Sequence, residues 1–127
     1  MIQKFVDRFM ENKDAIRAEL AKQHVGSYED LVHIVVGAIS TDDYGEPDVK
    51  RIHCIDDGDY QGTLLFVIAS NGYQPHEYWA VKIFYGSCSG CDTLQSINGY
   101  SDEPPTEGQL NDYMALALHD VQSFSKV

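Results

Sequence analysis

Two short stretches hold the residue types most able to do chemistry. Cys88-Ser-Gly-Cys91 sets two thiols three positions apart, and Asp56-Asp57-Gly58-Asp59 sets three carboxylates around a glycine, with Tyr60 next. A C-x-x-C pair at the end of a strand gains thiolate character when its first sulfur lies near a helix N-terminus, which would suit thiol redox work. Such redox pairs belong to βαβ units, however, and the strands here read as antiparallel. The same pair could be half of a zinc site, with Cys54 as the reachable third ligand and Asp56, Asp57 or Asp59 as a fourth; no second Cys/His pair shows ligand spacing. The plainer reading, which we prefer, is a tight Gly-rich turn whose small cysteines pack inward. For the acidic loop, hard cations favour carboxylate oxygens, yet the ligand succession of an EF-hand is missing, and Asp-rich turns commonly bond their own backbone. Gly86-Ser-Cys-Ser-Gly90 has cysteine, not serine, at the centre of the G-x-S-x-G position, so no serine nucleophile is indicated. No catalytic set can be assigned.

These stretches sit in a chain of 127 residues, the length of one domain, with 43% hydrophobic and 11% aromatic residues, enough for a packed core. Twenty Asp and Glu oppose nine Lys and Arg, a formal charge of −11 that disfavours direct contact with nucleic-acid phosphates. Residues 1–24 hold five basic and four acidic side chains, so the rest, with four basic and sixteen acidic, is the acidic body. Its carboxylates cluster at 42–48, 56–59 and 102–107. Lys4, Asp7 and Arg8 interrupt the apolar start, which argues against a signal peptide. No run approaches a membrane span, and three cysteines are an odd, low count, so a reducing cytoplasm is expected.

The elements that must position these residues follow from periodicity. Ile2, Phe5, Val6, Phe9, Met10, Ile16 and Leu20 predict one amphipathic helix over 2–24. Gly26 stops it, and Ser27 with Asp30 caps a buried helix over 28–39. Residues 40–50 read as a loop. Apolar, β-branched and aromatic runs at 51–56, 63–70 and 78–85, joined by turn formers, predict a three-stranded antiparallel meander. Leu64, Phe66 and Ile68 alternate with Leu65, Val67 and Ala69, so the middle strand should be covered on both sides. A helical turn at 93–97 and a helix capped by Thr106 and Gln109 complete the chain. The class is α+β in a single domain over 1–127, the sheet packed with an N-terminal helix pair and a C-terminal helix. An up-down-up meander also brings the first connector and the exit of the third strand to one end, so Asp56–Tyr60 should lie beside Cys88–Asp92. Asn71, Tyr73, His76 and Glu77 belong to the opposite end.

YQGTLLFVI (60–68), the W-x-V-x-I strand (79–83) and YGSCSGCDTLQSI (85–97) resemble a small protein family of bacteriophage genomes and bacterial mobile elements, over Ile55 to Ile97. The resemblance implies a cytoplasmic accessory protein that acts by binding, and it transfers no catalytic residue. The leading expectation is therefore a binding protein that meets a host protein, in one form an inhibitor of a basic, nucleic-acid-binding protein, through electrostatic complementarity. Asp56, Asp57, Asp59, Tyr60, Cys88, Cys91 and Asp92 are the expected binding residues. Two alternatives stand beside it: a thiol or zinc protein centred on Cys88, Cys91 and Cys54, and a small-molecule site or enzyme at the sheet end near Asp59 and Cys88. The Gly-Ser turn could also cradle an anion with its N–H groups, against which Asp59 and Asp92 argue.

Overall fold

A computed structural model of the chain describes residues 2–58, 61–87, 92–99 and 103–127. It is an α+β fold of five helices and a four-stranded antiparallel sheet in the order β1-β2-β3-β4. The N-terminal periodicity belongs to two helices, α1 (Gln3–Glu11) and α2 (Lys13–Leu20), not one. The break lies at Asn12, whose side-chain amide donates to Arg8 O (3.0 Å) and to Ala38 O (3.2 Å), competing with helix continuation. The bend lets Phe5 and Phe9 on one side of it and Ile16 and Leu20 on the other all reach the core.

Helix α3 (Tyr28–Ile39) starts where the sequence predicts, the Ser27 side chain accepting from Asp30 N at 3.1 Å. The expected loop over 40–50 is shorter than composition suggests. Strand β1 (Pro47–Asp56) begins inside it, with a register shift between Pro47↔Ser70 and Ile52↔Ile68 that bulges its first half. Arg8 pins this entry by donating to Glu46 Oε2 (2.5 Å) and Oε1 (3.3 Å) and to Ile39 O (3.0 Å), which holds the Glu46 carboxyl below the usual range. β2 (Gly62–Ser70) and β3 (Tyr78–Tyr85) follow, then α4 (Thr93–Asn98) and α5 (Glu107–Gln122), the latter opened by the Thr106/Gln109 capping box. A fourth strand, β4 (Ser125–Lys126), pairs with β3, so the meander has one strand more than expected.

Among the described residues, helices cover one face of the sheet only. Ile52, Cys54, Leu64, Phe66, Ile68, Trp79, Val81 and Ile83 pack with the helices, and Phe5 meets Trp79 edge-to-face at 5.7 Å. The alternate positions are not part of that core. Leu65, Val67 and Ala69 are half-buried, while Ile55, Tyr78 and Phe84 stand 47%, 41% and 78% exposed. This overturns the expected covering on both sides: lateral neighbours within the sheet, rather than a second layer, bury the outward side chains of β2. No described helix is long and apolar enough to cross a membrane.

Among the described residues, α5 carries a costly buried group. Asp120 on α5 is 2% exposed, its Oδ2 has no hydrogen-bond partner, and burial pushes its carboxyl up to about 7. A carboxyl whose pKa is higher folded than unfolded supports the fold below its ordinary value and withdraws that support as pH climbs through the folded value. Asp120→Asn should therefore flatten the loss of stability from about pH 4 to about pH 7 and make the protein more stable at pH 8 by about 2–4 kcal/mol in urea unfolding. A variant less stable than the parent at pH 8 would contradict this account.

Candidate functional site

The end of β1, the exit of β3 and the start of α3 converge at one end of the sheet. Tyr85 Oη donates to Asp56 Oδ1 at 2.6 Å and Gly58 N donates to the same oxygen at 3.0 Å, which together hold the Asp56 carboxyl below its ordinary range. Asp57 extends the β1–β2 ladder: its N–H donates to Thr63 O (3.2 Å) and its Oδ1 accepts from Thr63 N (2.8 Å). The turn is tight enough to require Gly58, since a Cβ there would lie 2.2 Å from Gln61 O.

Asp92 organises the opposite wall. It is buried and caps α4, Oδ2 accepting from Gln95 N at 2.9 Å, while Oδ1 accepts from Gly86 N at 2.8 Å and from the Tyr28 hydroxyl at 3.0 Å. The Tyr28 oxygen accepts in turn from Leu94 N at 3.1 Å. Burial is the main force that pushes the Tyr28 hydroxyl up to about 12; the Leu94 N–H works against it and the Asp92 acceptor adds to it.

Between these walls lies a cleft of about 510 Å³. Glu29, Asp56 and Asp92 supply its carboxylates, Tyr28 and Tyr85 its aromatic sides and Cys54 its thiol, and no Lys or Arg lines it. Of the residues expected from sequence, the structure brings Cys54, Asp56 and Asp92 into this cleft and leaves Asp57 on the adjoining exposed turn. Asp59, Tyr60, Cys88 and Cys91 lie outside the described residues. Cys54 is a free, half-buried thiol, pushed up by burial and then by the charges of Glu29 and Asp56, so it is held protonated rather than primed as a nucleophile. Among the described residues, no group of three or more His, Cys, Asp and Glu is arranged to hold a metal ion. Fixed carboxylates beside aromatic walls suit a cationic or hydrogen-bond-donating group.

Sequence reasoning missed Tyr28 and Glu29. Ser27 marked a helix start there, but only tertiary packing aims that start at the sheet end. At the opposite end of the sheet His76 stacks on Tyr44 at 5.2 Å, remote from the cleft as the meander requires. Gly72 stands beneath that stack with φ +111°, where a Cβ would come within 2.7 Å of the Tyr44 ring.

Two outcomes follow. Tyr28→Phe deprives buried Asp92 of one of its three donors and should cost about 1–3 kcal/mol in denaturant unfolding; an unchanged midpoint would refute the bracing role. In a Cys88→Ser/Cys91→Ser background, the alkylation rate of Cys54 against pH should give a thiol pKa above the ordinary value of about 8.5, and Glu29→Gln should bring it down. A value at or below the ordinary one would show that burial does not govern this thiol. Compared with known proteins, the chain matches no protein-family model, no curated protein and no solved structure.

Proposed function

We propose that this chain is a binding module for another protein, and that its sheet-end cleft receives a basic side chain of that partner. The observation that carries the reading is the cleft itself: Glu29, Asp56 and Asp92 converge on about 510 Å³ with no Lys or Arg in the lining. Asp56 and Asp92 are held in place by hydrogen bonds already made within the protein, so little reorganisation is needed when a cation arrives. An ammonium or guanidinium entering there would have carboxylate oxygens ahead of it and tyrosine rings alongside. The net charge of −11 steers a basic partner toward the molecule from a distance. The resemblance of residues 55–97 to proteins of phages and mobile elements supports a cytoplasmic host protein as that partner, and an inhibitor of a basic, nucleic-acid-binding protein is the form that best matches the charge. A second reading, favoured by the size of the cleft, is a small organic cation in the same place.

The test uses the full chain as bait in host lysate, beside a Glu29→Gln/Asp56→Asn variant shown by circular dichroism to be folded. A basic protein captured at about 0.05 M NaCl, released by about 0.5 M NaCl and lost with the variant is the expected result. Capture of the same proteins by both baits, or of none by either, would overturn the proposal.

A further inference from the structure

A different surface carries its own inference. The outward face of the sheet forms four rows. Asp57, Thr63 and Phe84 make the row at the cleft end; Ile55, Leu65 and Lys82 make the next; His53, Val67, Ala80 and Ser125 the third; and Ala69 with Tyr78 the last. Arg51 adjoins the last row, donating to Ser70 O at 2.9 Å and to Gly72 O at 2.7 Å. The inner two rows hold no Asp or Glu, although the chain has twenty. An apolar sheet face with no layer over it among the described residues, on a strongly acidic molecule, calls for an occupant.

We infer that the occupant is a second copy of this chain, packed face to face about a two-fold axis that lies between the sheets and runs across the strands. A two-fold interface must be self-complementary, so that each residue meets a partner that meets it in return. This axis passes between the Ile55–Leu65–Lys82 row and the His53–Val67–Ala80 row. It sets Leu65 on Val67 of the second copy and the Lys82 stem on Ala80. Phe84 falls on Tyr78, which joins two of the most exposed rings on the face. The end bearing Asp57 falls on the end bearing Arg51, which is itself paired with Asp48 at 3.4 Å, so the Asp57 carboxylate meets an ion pair rather than a second lone carboxylate. An in-plane axis along the strands would instead press the Asp57 carboxylate onto Phe84, which disfavours it.

Area sets the strength. Three strands about 4.8 Å apart and seven residues of about 3.3 Å rise give a face of roughly 330 Å² in plan. With side-chain relief, two copies would bury roughly 700–1,000 Å², at the lower edge of specific interfaces, as expected of a weak, reversible dimer. The net acidic charge of the two copies opposes their approach, and that repulsion is screened within about 8 Å at physiological salt, so salt should strengthen the pair.

Sedimentation of the full chain at rising concentration tests this. The expected result is a monomer–dimer equilibrium that tightens between about 0.05 M and about 0.5 M NaCl. Phe84→Thr keeps β propensity at a position 78% exposed and should weaken the dimer about tenfold or more with unchanged circular dichroism. Amide shifts that move with concentration should fall on 53–55, 65–69 and 78–84 and spare α5. A monomer throughout, equal dimerisation by Phe84→Thr, or shifts centred elsewhere would each overturn the inference.

Discussion

A buried carboxylate with no cation beside it in the described structure holds the cleft end of this molecule together. Asp92 accepts from Tyr28 on α3, Gly86 after β3 and Gln95 on α4, so the start of α3, the exit of β3 and the start of α4 are tied through two oxygens. Burying a charge is costly unless hydrogen bonds replace its water, and three donors do so here. Because the donors come from different elements, their geometry sets the separation of helix and sheet, and hence the width of the cleft. The opposite end of the sheet is tied as firmly, by the Arg8–Glu46 pair and by Asn71, which accepts from Gly45 N at 2.8 Å and donates to Asp43 O at 2.7 Å. Fixed at both ends, the sheet presents two unlike surfaces: a recessed acidic cleft at one end and a flat apolar face behind.

How much of this was legible in sequence depended on whether the deciding interaction is local. The starts of α3 and α5 were readable because Ser27 and Thr106 satisfy helix N–H groups three residues away. β2 and β3 were readable from apolar and aromatic runs bounded by turn formers. The break at Asn12 was not, because apolar spacing continues across it and its cause is a side-chain bond to Ala38 O, far along the chain. The first half of β1 is hidden in sequence because Pro47 and Asp48 look like loop, though proline is tolerated at the first residue of an edge strand. β4 is two residues whose strand character comes wholly from pairing with Trp79 and Ala80.

The site divides the same way. Asp56 and Asp92 could be placed near one another because antiparallel topology dictates which connectors share an end, whereas Tyr28 and Glu29 enter only through packing of α3. The outward face was misjudged for a subtler reason. Leu65, Val67 and Ala69 are as apolar as their inward neighbours, and apolarity on both sides normally signals cover on both. Here it signals a surface whose cover is not among the described elements of the chain itself.

The one-sided sheet also shapes the solution behaviour of the protein. At neutral pH, charge keeps copies apart wherever the sheet does not join them. As acid is added toward the isoelectric point near 4.6, the carboxylates that supply that repulsion fall silent while Phe84, Ile55 and Tyr78 remain uncovered. The balance then passes from long-range repulsion to short-range apolar attraction, and the same face that supports an ordered pair becomes the seed of precipitation. Acidity in this chain thus acts as a dispersant for a sheet left half bare.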